Sequence, residues 1–347
     1  MKKILIKANM NNLTGLSYHR LIVPFGKVSN MQEFQCDVFE QPEFLPEDKL
    51  QQYQAIVFQR NIDETGKSLQ VINKLRKLGL KIIFDIDDFW HLAPTHHLYN
   101  VYKTNNLPKQ TEEILRNVDL VTTTTEHLAN IIKQFNKNVE VIPNCLNLDE
   151  PQWQSNKMYS ETIRFGYIAG VYHISDMKIL ERPIEKALFG IDNCSFTLGG
   201  YTENAHYKYY EQVLSCNNKA KERYRRVNAL PVEKYGFAYN HTDVSLIPLD
   251  ITNFSVCKSE IKLLEAAAHG NAAIVSNTKP YNIFPKTSAV FLGNYDSNGW
   301  YKAIKKLTED KAYREDKASE LGLYVKLNYD LNKWTRTRKE ILQSVLA

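Results

Sequence analysis

Short runs of β-branched and aromatic residues alternate with helical patterns along this chain, stop, and then alternate again. That doubled rhythm restricts the fold more than any other feature. In the first half, KILIKA, AIVFQR at 55–60, KIIFDID at 81–87, LVTTTT at 120–125 and VEVIPN at 139–144 have the length and composition of strands. SLQVINKLRKLGL and EHLANIIKQFN, between them, have helical spacing. Strands recurring with intervening helices predict βαβ units and a parallel sheet covered on both faces. PNCLNLDEPQWQSNKMYSET then breaks the pattern with prolines and polar residues, as a linker does. Alternation resumes with IRFGYIAG, CSFTLGGY, YRRVNAL, DVSLIPL, NAAIVSN and SAVFLGN as strands. SDMKILERPIEKALFG is a helix that Pro183 is expected to interrupt early, and three helical segments close the chain. The expected class is α/β, with two tandem Rossmann-like doubly wound domains facing a cleft. The domains are placed at 1–150 and 163–325, joined by a linker at 151–162 and followed by a C-terminal helix at 326–347.

The length of 347 residues suits two domains, and 43% hydrophobic with 24% charged residues describes a globular protein. No apolar stretch approaches the roughly 20 residues of a membrane span. MKKILIKANMNN opens like a signal peptide, but its apolar part is short and no cleavage site follows, so it reads as a first strand. Five cysteines (Cys36, Cys145, Cys194, Cys216, Cys257) are scattered, odd in number and without CxxC spacing. They argue against a disulfide framework or zinc site and for a cytoplasmic location. The net charge of +5 lies in the second half: residues 1–150 hold 17 Lys and Arg against 18 Asp and Glu, residues 151–347 hold 27 against 21. The run KAKERYRR at 219–226 reads as a solvated helix face; attraction to phosphate, membrane or nucleic acid is the alternative.

Open α/β sheets bind ligands beyond the carboxyl ends of their strands, where loops feed helix N-termini. FSVCKSEIKLLEAAAHG, residues 254–270, follows such a strand and carries Glu265 inside an apolar run. If Lys258 or Ser259 opens the helix, Lys258, Lys262 and Glu265 share one face. A helix N-terminus attracts phosphate, and Ser259 and Lys258 would add donors. Glu265, about 10 Å further along the axis, is placed to accept hydrogen bonds from ribose hydroxyls. The competing reading is that Glu265 pairs with Lys262 or Lys258 on a wet surface, and spacing alone leaves both open.

DVSLIPL followed by FSVCKSEIKLLEAAAHGNAAIVSN resembles the nucleotide-sugar helix of GT-B glycosyltransferases, in particular the retaining family 4 type with bacterial and phage members. IRFGYIAGVYHISDMKIL resembles the opening strand, glycine turn and helix of that group's donor domain. TTTTEHLANIIKQFNKNVEVIPNCLN resembles the close of its acceptor domain, and KIIFDIDDFWHL and GLSYHRLIVP resemble further segments. The resemblance touches both domains. It implies that Glu265 matches the second motif glutamate, which holds the ribose, and that the final helix packs back on the first domain. The first motif glutamate, eight positions earlier, is replaced by Cys257. The group commonly presents Arg and Lys to the diphosphate from the first donor-domain turn; here Gly166, Gly170, His173 and Asp176 stand there, and His173 takes that role or is a turn histidine. Asp176 is otherwise an N-cap. Lys258 is then the expected group that neutralises the leaving diphosphate.

On the acceptor side, FDIDDFWHLAPTHH places Asp85, Asp87 and Asp88 at a strand end, followed by His91. A DxD pair invites a metal, but a single one is a weak signal, and Asp87 and Asp88 are read as hydrogen-bonding sugar or acceptor hydroxyls, with His91 beside them. Gly15 fits a tight turn near a ligand, an ordinary loop glycine being the alternative. Arg20, which resembles part of the group's first helix, is expected to face the cleft.

The resemblance implies a metal-independent hexosyltransferase without a bound cofactor. It would move a sugar from a UDP- or GDP-sugar to an acceptor hydroxyl with retention, on a glycan or lipid-linked acceptor of cell-envelope polysaccharide synthesis, in the cytoplasm with peripheral membrane contact as an option. Two alternatives stay open: a phage-type enzyme acting on modified DNA bases, and a non-catalytic nucleotide-sugar-binding or scaffold protein.

Overall fold

The computed structural model of the chain describes residues 1–11, 13–63, 66–170, 173–216 and 219–347. Strands β1 (Lys2–Lys7), β2 (Phe34–Phe39), β3 (Ala55–Gln59), β4 (Lys81–Ile86), β5 (Leu120–Thr123) and β6 (Val139–Val141) form one sheet in the order β2-β1-β3-β4-β5-β6. Strands β7 (Ile163–Ile168), β8 (Cys194–Tyr201), β9 (Tyr224–Asn228), β10 (Val244–Ile247), β11 (Ala272–Ser276) and β12 (Val290–Leu292) form a second, β12-β11-β10-β7-β8-β9. Each neighbouring pair is parallel. The chain forms two compact units. One comprises Met1–Cys145, Thr252–Ser259 and Tyr329–Ala347; the other comprises Leu146–Ile251 and Glu260–Asn328.

Both sheets have the buried central strands that parallel pairing under helices requires. Ile4, Leu5 and Ile6 of β1 and Ala272 to Val275 of β11 are fully buried. In the first unit, helix Leu331–Val345 packs on helix Val23–Ser29. Leu342 joins Ile4, Ile6, Leu21, Phe25 and Val28 in one core cluster, and Lys339 pairs with Glu33 at 2.7 Å. In the second unit the core gathers Phe165, Tyr167, Leu180, Ile184, Phe196, Leu198 and Trp300. Counted from β7 as its first strand, that sheet runs 6-5-4-1-2-3, the Rossmann order, which reverses direction between β7 and β10. The first sheet, 2-1-3-4-5-6, reverses between β1 and β3.

Two expectations are corrected. Helix Ile174–Gly190 runs unbroken through Pro183, whose ring is buried, so that packing offsets the lost hydrogen bond. The basic run at 219–226 is a 3₁₀ turn (Lys221–Arg223) leading into β9, not a helix face. β9 ends its sheet, and exposed Arg225 and Arg226 are the kind of residue that protects an edge from further pairing. The proline-rich stretch after β6 is anchored: Gln152 and Trp153 are buried, and the Trp153 ring meets Tyr235 edge-on at 5.4 Å. Among the described residues, no helix is long and apolar enough to cross a membrane.

Gly166 of β7 is required by close packing, since a Cβ there would lie 2.2 Å from Thr242 Cγ2 and 3.1 Å from the Thr197 carbonyl. Gly166→Ala should therefore lower stability by about 1–3 kcal/mol in chemical denaturation. Adding Thr242→Ser, which deletes that methyl and keeps the hydroxyl, should restore part of the loss; no restoration would exclude this clash as the cause.

Candidate functional site

In the second unit, polar groups collect where the strand order reverses. The turn after β7 reaches His173, which precedes helix Ile174–Gly190; Val171 and Tyr172, within that turn, lie outside the described residues. The His173 N–H donates to the Tyr210 hydroxyl at 3.1 Å, and its Nδ1 lies 2.7 Å from Asp176 Oδ2. Asp176 Oδ1 accepts the backbone N–H of Asp250, just past β10, at 2.7 Å. Asp176 is thus in the first helical turn, not the N-cap, and its carboxylate ties the β7 turn to the β10 loop. Burial works against this carboxylate, yet His173, the Asp250 N–H and the Lys262 charge together hold it below the usual carboxylate range. Gly170 has ordinary backbone geometry, and a Cβ on it would meet nothing within 4 Å.

Helix Ile261–Ala268 supplies the other wall. Its Lys262 Nζ donates to the Ile168 carbonyl that ends β7, at 3.1 Å, and lies 5.4 Å from the Tyr167 ring centre. Glu265, one turn on, is 6% exposed, which overturns the wet-surface pairing. Its Oε2 accepts from the Tyr239 hydroxyl at 2.6 Å, and its Oε1 accepts from the Tyr235 hydroxyl. Burial pushes the Glu265 carboxyl up, against the two hydrogen bonds and the Lys262 charge. A carboxylate offers about four lone-pair positions, so two tyrosines do not exhaust it. Sequence reasoning missed Tyr235 and Tyr239. They sit in a 3₁₀ segment, Tyr235–His241, that carries no motif.

The helix does not begin where the sequence suggested. Ser255–Cys257 is a 3₁₀ turn, Lys258 is extended at φ −63° and ψ 163°, and Glu260 is the N-cap of the helix. The Ser255 and Thr252 side chains bond each other's backbone N–H and close that earlier turn, which uses up the local capping groups. Lys258 and Ser259 group with the first unit. Lys258 Nζ lies 4.8 Å from the Phe254 ring centre, and Ser259 Oγ accepts from Asn144 Nδ2 at 2.7 Å. Cys257 is fully buried in the first unit's core.

In the first unit, Arg20 is 1% exposed and forms a two-pronged ion pair with Asp85, Nε to Oδ1 at 3.0 Å and Nη2 to Oδ2 at 2.6 Å. Its Nη1 donates to the Ile142 carbonyl, while Gln59 and Thr122 donate to Asp85. Arg20 is an interior strut rather than an arm held open to a ligand, and Asp85 is committed to it. Burial opposes the Asp85 charge, but Arg20, Thr122 and Gln59 together hold its carboxyl below the ordinary range. Asp87 and Asp88 are half-buried beyond β4. Burial, then the Asp88 and Asp85 charges, push Asp87 up to about 8, against Arg20 and Arg60. Arg60, exposed just after β3, has φ 58°, a left-handed conformation uncommon for a bulky residue; no sequence signal marked it. His91 pairs with Glu112 at 3.0 Å and, with Tyr99 and Tyr102, lines a cavity of about 260 Å³. Gly15 begins a three-residue helical turn in which a Cβ would meet nothing within 4 Å, so no tight turn requires it. Among the described residues, no three His, Cys, Asp or Glu side chains are grouped to hold a metal ion.

A cavity of about 860 Å³, lined by Arg164, Arg223, Arg225 and Arg226, opens at the amino ends of β7 to β9. It is at the opposite end of the sheet from His173 and Glu265, about 17 Å away along the six residues of β7 at roughly 3.3 Å each, and is not part of their site.

No protein-family model matches the sequence, and no curated protein does. Solved structures do match the fold. Sucrose-phosphate synthase from Thermosynechococcus elongatus is 13% identical with TM-score 0.71, over 99% of both chains. HepE of Anabaena, in complex with UDP-glucose, is 13% identical with TM-score 0.67, over 99% of this chain and 100% of that one. A glycosyltransferase from Rickettsia africae is 10% identical with TM-score 0.68, over 99% and 98%. With these identities the likeness is one of fold: the chain has the GT-B fold, two Rossmann-like domains.

The raised Asp87 has a measurable consequence. Its unfolded carboxyl titrates near 4, so between about pH 4 and 8 the folded state keeps a proton that the unfolded state has lost. This group's contribution therefore falls as pH rises through that window and stays low above it. Asp87→Asn should raise Tm relative to the parent at pH 9, with the gain vanishing toward pH 4. A pH-independent difference would show that Asp87 titrates normally.

Proposed function

We propose that the chain is a glycosyltransferase that moves a sugar from a UDP- or GDP-sugar to an acceptor hydroxyl. The observation that carries this reading is the gathering of His173, Lys262 and Glu265 at the reversal between β7 and β10, where two helices begin. A diphosphate there meets the N–H groups and dipole of helix Ile174–Gly190, with His173 and Lys262 beside it. Glu265 takes the ribose hydroxyls, the half-buried Tyr235 giving way while Tyr239 stays to orient the carboxylate. Positive groups placed where charge builds on the departing diphosphate favour bond cleavage, while positioning of the acceptor supplies most of the rest.

Likeness in fold to HepE, which binds UDP-glucose, and to sucrose-phosphate synthase supports a nucleoside diphosphate sugar as donor. The resemblance to retaining family 4 favours retention without a metal ion. Asp87, Asp88 and His91 of the first unit are the proposed acceptor-side groups, with a glycan or lipid-linked acceptor of envelope polysaccharide synthesis. Lys258 is retained as a proposed partner of the leaving group.

Release of free nucleotide from a panel of UDP- and GDP-sugars tests the reading. One donor should be turned over, and Glu265→Ala should lower kcat/KM about 10- to 100-fold, as expected for loss of a hydrogen bond to a charged group worth roughly 1.5–3 kcal/mol. Lys262→Met and Lys258→Ala should lower it as well. No turnover with any donor, or normal kinetics in a folded Glu265→Ala protein, would refute the proposal.

A further inference from the structure

We infer that the first unit binds a small inorganic anion, a halide or compact oxyanion, against the guanidinium of Arg338. Arg338 projects from helix Leu331–Val345 and is 4% exposed. Among the described residues, neither its Nη1 nor its Nη2 has a hydrogen-bond partner. Guanidinium does not shed its proton at neutral pH: burial and the like charge of Arg20 bring Arg338 down only to about 10. A buried charge left unpaired is costly against the marginal stability of a folded domain.

The surroundings do not supply the missing negative charge. Asp85 lies within electrostatic reach, but both its oxygens are taken by Arg20, and Gln59 and Thr122 add to the same carboxylate. Asp87, the next acid along the strand end, keeps its proton at neutral pH. Two arginines therefore face one carboxylate, and one positive charge is left over. An ordered water would satisfy N–H groups but leave that charge standing; an anion satisfies both.

The neighbouring polar atoms suit such a guest. Cys145 is within electrostatic reach of both Arg20 and Arg338. The hydroxyl of Thr124, two residues beyond the Thr122 that donates to Asp85 and so on the same side of the sheet by strand alternation, is buried and has no partner among the described residues. Threonine hydroxyls rotate to donate to whatever acceptor is present. Near-complete burial limits the guest to a few atoms, which separates this site from any nucleotide or sugar and makes it independent of the proposed transferase activity.

The test is thermal unfolding of the full chain in a gluconate buffer titrated with sodium bromide at constant ionic strength. The parent protein should gain a saturable rise in Tm, roughly 5 °C at a hundred times the half-saturating concentration, and Arg338→Met should show none. An equal response in both proteins would overturn the proposal and assign the guanidinium to water alone. If the methionine variant does not fold, crystals of the parent grown in bromide decide. An anomalous peak within hydrogen-bond reach of Arg338 Nη1 or Nη2 supports the site, and its absence rejects it.

Discussion

Parallel pairing is the constraint on which the rest of this structure depends. A parallel strand must be entered from the same end as its neighbour, so every connection returns along a face of the sheet. Turns at the carboxyl ends therefore feed helix N-termini. In the second unit β7 and β10 lie side by side, and their connections leave toward opposite edges. The backbone beyond them has to part, and side chains fill the gap. Asp176 reaches the Asp250 N–H, and Lys262 reaches the Ile168 carbonyl. On the proposed reading those same charged groups receive the diphosphate, and the polar character of the gap follows from the strand order.

The periodic signals carried most of the fold. Eleven of the strands coincide with apolar runs legible in the sequence; β2, FQCDVF, does not. It sits at a sheet edge with Phe34 buried and the rest half-buried, and Asp37 is satisfied by Gln35 and Tyr53. An edge strand needs neither two apolar faces nor a clean alternation, and so leaves little trace. Helix boundaries were less legible. The residues at 252–260 contain enough Ser, Thr and Lys to open a helix at several places, and the competition was settled by the Thr252–Ser255 turn. Pro183 misled for the opposite reason: a local rule about proline was outweighed by burial of its ring, a tertiary effect.

Charged residues were located well by sequence but their partners were not. Arg20 and Asp85 are 65 residues apart in the chain and meet inside the first unit. No spacing rule links them. Once paired, Arg20 is unavailable to a ligand, and Asp85 cannot serve with Asp87 as the DxD pair that the sequence advertised. The consequence spreads: burial first, then the charges of Asp88 and Asp85, push Asp87 toward its neutral form, and with both Asp85 oxygens taken by Arg20, neither Nη of Arg338 has a hydrogen-bond partner among the described residues. One long-range pairing thus bears on two further ionisable groups, which is why single-residue reasoning about this cluster fails.

Glu265 raises the same issue in the second unit, with a different answer. Its carboxylate is enclosed, yet its two tyrosine partners are not equivalent. Tyr239 is 2% exposed, stacks on His269 with ring centres 5.8 Å apart, and is fixed by its surroundings. Tyr235 is only half-buried, and its ring contacts Trp153 by an edge. A ligand hydroxyl competing for Glu265 would displace the more exposed phenol and leave Tyr239 in place to orient the carboxylate. Holding a buried acid with two neutral donors also avoids the expense of an unsatisfied charge in the unliganded protein. On the proposed reading, Tyr235 is the group that a ribose replaces, and the near-complete burial of Glu265 is a property of the unliganded protein that is compatible with binding.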